Sequence, residues 1–260
     1  MARPEDPNSN RLLAALTDAD WQRWQCRLER VDLKLGQVLY EPSRPQFYAY
    51  FPTSAIVSLQ YLTDSGACAE FAVVGSEGIV GTSLFLGGAS TTSHASVLIA
   101  GQGFRIGAQV IRDEFERSDS VRDLLLRYTQ ALATQIAQTA VCNRHHSIDQ
   151  QVCGWLLHCL DRLQGREVLV TQEVLGSMLG VRRESVTEVA GRLQHAGLIH
   201  YARGHIEVLD RGALERRACE CHTVVLREYD RLLPRDPAAR PAARRPWPRP
   251  ASDPAAVATV

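Results

Sequence analysis

"LGVRRESVTEVAGRLQ", residues 179–194, places Arg182 and Arg183 side by side at the head of a helix-like run. Its apolar residues Val186, Val189, Ala190 and Leu193 recur at spacings of three, one and three, which gives one buried stripe. Gly180 can take a positive φ without a Cβ penalty, so Leu179–Val181 reads as a tight turn. Upstream, Thr171 is an N-cap for a preceding short helix, with Val174, Leu175 and Met178 expected inward. Two short helices about such a turn make a helix-turn-helix, whose second helix can enter the major groove of DNA.

Arg182, Arg183, Ser185 and Glu188 fall off the buried stripe near the N-terminal end of the second helix. Arginine can bind guanine O6 and N7 bidentately, and Glu184 can accept from cytosine N4. Thr171 and Gln172 open the first helix, where hydroxyl, amide and backbone N–H groups suit phosphates. In an isolated helical hairpin, these charges would be read as an ordinary solvated face. The next segment, "GLIHYARGHIEVLD" (197–210), changes that reading. It predicts two short strands about Arg203-Gly204, a wing with Arg203 at its tip as another phosphate contact. Between residues 143 and 213 eight arginines face eight acidic residues, so binding would depend on local placement rather than on net charge.

The rest of the chain frames this module. Residues 11–30 read as a short helix capped at Thr17 or Asp18. From 31 to 112, short β-branched or alternating runs are separated by turn signals, the pattern of a compact antiparallel β-roll. Residues 119–141 contain no Gly or Pro, and Val121, Leu125, Tyr128, Leu132, Ile136 and Ala140 recur at helical spacings. That stripe either packs on its own domain or pairs with a second subunit, and its seam-like length favours the second. A last helix spans 214–233. Residues 234–260 hold seven of the twelve prolines and read as a disordered tail. The expected organisation is α+β, with a sensory roll at 1–112, a long dimerisation helix at 113–142 and the winged module at 143–213.

Composition excludes several classes. The 260 residues carry no net charge, and Lys34 is the only lysine among the basic residues. No run of 18 apolar residues and no N-terminal apolar leader occurs, so a cytoplasmic protein without a membrane span is expected. Seven scattered cysteines include no CxxC pair. Cys219 and Cys221, followed by His222, would allow a metal or redox role, but free thiols are the better reading and no metal site is assigned. No catalytic triad, paired carboxylates or phosphate loop stands out, and "GSEGIVG" lacks the end of a P-loop, so no enzyme is expected. His145-His146 reads as a feature of the hinge between domains.

The order of β-roll, long helix and winged helix-turn-helix resembles the Crp/Fnr family of bacterial transcription regulators. "LGVRRESVTEVAGRLQHAGLIHYARGHIEVLDR" is similar to that family's DNA-binding module, and "VVGSEGIVGTSLFLGG" to the glycine-rich part of its cyclic-nucleotide-binding-like domain. The resemblance covers roughly residues 10–232. It implies a homodimer joined through Leu125, Tyr128, Leu132 and Ile136, a palindromic double-stranded DNA site, RNA polymerase as a further partner and an effector sensed in the roll. An Arg-Glu pair that opens the recognition helix in the cyclic-AMP-binding members falls on Arg183 and Glu184, but their second arginine falls on Glu188. The resemblance places the effector pocket at Gly81, Thr82, Ser83, Thr91, Thr92 and Ser93. There Thr82 stands at the ribose-binding glutamate and Thr92 at the phosphate-binding arginine, with Arg105 outside the loop. A cyclic phosphate loses its charge-assisted partner, so cyclic AMP is not expected as the effector. With only Cys26 and Cys68 ahead of the long helix and His94 the roll's single histidine, neither an iron–sulfur cluster nor haem is expected, and the cofactor is left unknown. The competing reading is an effector-binding regulator that acts mainly through protein partners.

Overall fold

The computed structural model describes residues 6–64, 66, 68–88, 90–163 and 165–234. The expected tail therefore lies outside the described residues, apart from Pro234. Two 3₁₀ turns, at Pro7–Ser9 and Leu13–Ala15, lead into α1 (Asp18–Trp24), capped by the Thr17 hydroxyl. The helix expected over 11–30 is thus much shorter, because Glu29 already begins β1 (Glu29–Leu33).

Six further strands complete the roll: β2 (Val38–Tyr40), β3 (Tyr48–Pro52), β4 (Ile56–Leu62), β5 (Cys68–Val74), β6 (His94–Ile99) and β7 (Gly101–Gly107). They form two antiparallel sheets, ordered β1-β7-β3 and β2-β6-β4-β5. "HASVLIAGQGFRI" supplies one strand to each sheet. Gly101 lets the corner turn against residues 54 and 55, since a Cβ there would lie 2.6 Å from the Ala55 nitrogen.

Beyond the roll run α2 (Ala108–Arg117) and α3 (Asp119–His145), separated at Ser118, whose hydroxyl caps α3. Next come α4 (Ile148–Leu160), β8 (Glu167–Leu169), α5 (Gln172–Leu179), α6 (Arg183–His195), β9 (Ile199–Ala202) and β10 (His205–Val208). β8 pairs with β10, so "REVLV" contributes a third strand to the wing sheet. The expected last helix is two, α7 (Arg211–Arg217) and α8 (Glu220–Leu232), broken at Ala218-Cys219. The break lets α8 fold back onto α3.

Two apolar cores hold the molecule together. One lies within the roll and takes in Leu125, Tyr128 and Leu132 of α3 with Val225, Tyr229 and Leu232 of α8. The other fills the winged module, yet it includes Ile56, Val73, Leu98 and Ile99 from the outer face of the four-stranded sheet. Residues 56–60 of β4 are therefore buried on both faces. This shared core corrects the picture of the long helix. Leu125, Tyr128 and Leu132, expected at a subunit interface, are at most 5% exposed within one chain. The Tyr128 hydroxyl donates to the Ile79 carbonyl, and its ring fills the space a Cβ on Gly78 would need. Of the four residues expected at the interface, Ile136 is exposed.

Candidate nucleic-acid interface

α5 starts with Thr171 as N-cap, its hydroxyl accepting from the Val174 N–H, as the sequence predicts. It ends at Gly180, at φ 65°, which frees the chain to turn sharply. Gly176 is a second requirement that the sequence reading missed. A Cβ there would meet the Val181 carbonyl oxygen at 3.1 Å, so the turn between the helices needs a small residue at this crossing. Leu175 and Met178 are buried as expected, but Val174 is exposed. It sits just one residue before Leu175, so it points away from that stripe.

The buried stripe of α6 is Val186, Val189, Ala190 and Leu193, which leaves Arg182, Arg183 and Glu184 in solvent at its N-terminal end. Among the described residues neither arginine has an ion-pair partner, so both guanidinium groups are uncommitted. Two other predicted site residues have engaged side chains. Glu188 pairs with Arg192 at 2.7 Å, one helical turn on. The Gln172 amide oxygen accepts from the Thr187 hydroxyl at 2.6 Å and leaves its NH₂ free. Ser185 is half-buried, its backbone N–H bonded to the Arg182 carbonyl.

The wing is the β9–β10 hairpin, closed by Arg203 (φ 51°) and Gly204 (φ 83°). Two consecutive positive φ values give the hairpin geometry that matches strand twist. Glycine adopts this freely. Arginine does not, yet Arg203 stands exposed at the tip. The hairpin stays near α5, since Val170 donates to the Gly204 carbonyl.

The predicted effector residues all lie in the segment between β5 and β6. Gly81, at φ 106°, leads into the 3₁₀ turn Thr82–Leu84. Ser83 donates to Gln46 at 2.7 Å, Thr91 and Ser93 share a hydroxyl contact at 3.0 Å, and Thr92 meets the Tyr61 hydroxyl at 3.2 Å. These hydroxyls bond to uncharged groups. Arg105 is elsewhere, paired with Glu29 at 2.7 Å and lying over the Tyr48 ring.

A polar seam links the roll to the winged module, and no motif announced it. Buried Arg162, just past α4, donates to Glu77 at 2.7 Å and to the Gln135 amide oxygen at 3.0 Å. A Cβ on Gly75 would lie 2.7 Å from the Arg162 Cβ, so glycine is what lets this arginine approach. Beside it, Glu70 of β5 accepts from the Trp155 indole at 2.8 Å and from the Ser58 hydroxyl. Burial pushes the Glu70 carboxyl up to about 7, against those two hydrogen bonds.

With this geometry in place, residues 150–217 match the family model described as the Crp-like helix-turn-helix domain. Over 73–74% of its length the chain shares its fold with three solved structures. FixK2 from Bradyrhizobium japonicum superposes with a TM-score of 0.65 at 16% identity, over 74% of this chain and 98% of that one. A CRP/FNR-family transcriptional regulator from Thermus thermophilus gives 0.59 at 20% identity, over 73% and 98%. The c-di-GMP responsive global regulator CLP from Xanthomonas campestris gives 0.57 at 18% identity, over 73% and 97%. None of the curated proteins matches in sequence. Among the described residues no helix is long and apolar enough to cross a membrane.

Proposed function

We propose that the chain is a sequence-specific DNA-binding transcription regulator, working as a homodimer without catalytic activity of its own. The observation that carries this reading is the pair of uncommitted guanidinium groups, Arg182 and Arg183, at the exposed start of the Crp-like recognition helix. Arg203 stands exposed at the tip of the wing. Arg183 reads a guanine, Glu184 its neighbour, and Arg203 with Thr171 and Gln172 holds phosphates. Glu188, neutralised by Arg192, offers no cationic fork to a base, so the operator differs from that of cyclic-AMP-type regulators.

The dimer face in this reading is the other side of α3. Leu126, Gln130, Ala133, Ala137 and Ala140 are exposed and spaced by four and three residues, flanked by Ile136 and Val141. This spacing, with small residues along it, suits a close helix–helix seam with a second copy. By the resemblance Thr92, not an arginine, stands at the phosphate-binding position, so in this reading cyclic AMP does not set the DNA-binding state.

Recovery of bound fragments from genomic DNA tests the main claim. The expected result is a palindrome with half-sites about one helical turn apart. It is lost, or relaxed at one position, in Arg183→Ala. Fragments no richer in any motif than bulk DNA would sink the reading. A thermal-shift series with cyclic nucleotides tests the effector claim, and a large shift with cyclic AMP would overturn it.

A further inference from the structure

Three cysteines and a histidine that lie far apart in sequence meet where α3 ends and α8 begins. Cys142 and His146 stand one turn apart on the last turns of α3 and its cap, while Cys219 caps α8 and Cys221 lies in its first turn. The three sulfurs and one imidazole nitrogen all lie within 4.8 Å of one another. Cys142 Sγ is 3.5 Å from Cys219 Sγ, and Cys221 Sγ is 3.5 Å from His146 Nδ1. We propose that Cys142, His146, Cys219 and Cys221 are the ligands of a single zinc-class metal ion, which clamps the end of α3 to the start of α8.

The distances fit that ion. Zinc binds thiolate sulfur at about 2.3 Å and imidazole nitrogen at about 2.0–2.1 Å, so a tetrahedron has edges of about 3.5–3.8 Å. A two-iron cluster would need its ligand pairs held apart by the width of the cluster, which this compact set does not provide. A Cys142–Cys219 disulfide would leave Cys221 and His146 converging on nothing.

The surroundings fit as well. His146 Nε2 lies 3.4 Å from a Glu220 carboxylate oxygen, an outer partner that turns Nδ1 toward the sulfurs. Gln151 donates to the Cys142 and His146 carbonyls at 3.4 and 3.0 Å and so fixes the loop that carries the histidine. Thiolates at the start of α8 gain from its N-terminal dipole. Four protein ligands close the shell, as in structural sites. The neighbouring trio His158, Asp161 and His222 is a poorer site. Asp161 is already occupied by His222 and Arg211, and Arg162 adds a buried positive charge beside it. α4 begins at Ile148, two residues past His146, so the clamp stands at the junction between the long helix and the winged module. The proposal does not depend on the DNA-binding reading.

Elemental analysis of the full chain, purified under reducing conditions without chelator, is the test. It should give about one zinc per chain, released when a mercurial titrates the thiols. The cobalt-substituted protein should show strong visible bands of a tetrahedral ion together with sulfur-to-cobalt charge transfer. X-ray absorption on the wild-type zinc protein should resolve three sulfurs and one nitrogen, a readout that does not rely on any variant folding. Cys142→Ser and Cys221→Ser should lose the metal, whereas Cys26→Ser, at an exposed thiol outside the cluster, should keep it. Wild-type protein with no bound metal and no cobalt bands would overturn the proposal. So would iron with inorganic sulfide, or a Cys142–Cys219 disulfide in protein trapped directly from lysate.

Discussion

At the scale of single residues, two positions hold conformations or charges that folding alone would not choose. Arg203 sits in the left-handed region at φ 51°, which costs a non-glycine residue on the order of 1 kcal/mol or more. Arg203→Asn should therefore raise the stability of the chain by about 1 kcal/mol in a denaturant titration. It should also weaken operator binding evenly across sequences and lower the salt slope by about one, as loss of a phosphate contact does. A variant that is stabilised but binds normally would remove Arg203 from the interface. Glu70 is the second position. Its carboxyl titrates at about 7 in the folded chain, above the usual value of 4.5. Below 4.5 both folded and unfolded chains hold the proton, and this group's contribution is fully present. Between about 4.5 and 7 only the folded chain holds it, so stability falls as pH rises, by up to about 3 kcal/mol in all. Glu70→Gln should remove that slope. Unfolding free energies of wild type and variant at several pH values check this, and parallel curves would show that folding does not raise the Glu70 pKa.

At the scale of elements, the seam at Arg162 joins the roll, α3 and the winged module through a single buried side chain. Arg162→Met fills a similar volume but leaves Glu77 buried without its cation, which should cost about 3–5 kcal/mol. Adding Glu77→Gln removes the stranded charge and should recover much of the loss, while Gly75 N–H, which bonds Glu77 in the wild type, keeps an acceptor. Equal stability of the single and double variants would mean that the pair is not what the seam depends on. The seam also shows where sequence reading stops. Helix identities, the Gly180 turn, the Thr171 cap and the wing were legible because each depends on residues a few positions apart. Gln135, Glu77 and Glu70 lie 27, 85 and 92 residues before Arg162 and share no spacing with it. The cysteine cluster was half legible: Cys219 and Cys221 stood out by their spacing, with His222 after them, but nothing in the sequence tied them to Cys142 and His146, which they meet only because the chain breaks at Ala218. Val174 was misread because a short amphipathic helix leaves little periodicity to separate adjacent residues.

At the scale of the whole molecule, α3 carries two stripes with the same four-and-three spacing, and periodicity cannot rank them. Leu125, Tyr128 and Leu132 are large, and the roll with α8 buries them inside the chain; Leu126, Ala133, Ala137 and Ala140 are left on the surface. If two recognition helices are to read one palindrome, this exposed stripe is what holds them about 34–36 Å apart, one turn of DNA. The two stripes should respond differently to substitution. Leu132→Ala leaves a cavity in the intrachain core and should cost about 2–5 kcal/mol of stability, with the subunits still associated. Ala137→Glu touches nothing buried, so the folded chain should keep its thermal midpoint at low concentration. Across a symmetric seam it sets two carboxylates near each other, and sedimentation at micromolar concentration should then give monomers. Operator affinity should fall with dimerisation, because each monomer contacts a single half-site and loses the gain from linked binding. A dimer that survives Ala137→Glu, or one dispersed by Leu132→Ala without loss of fold, would place the interface on another face of the chain.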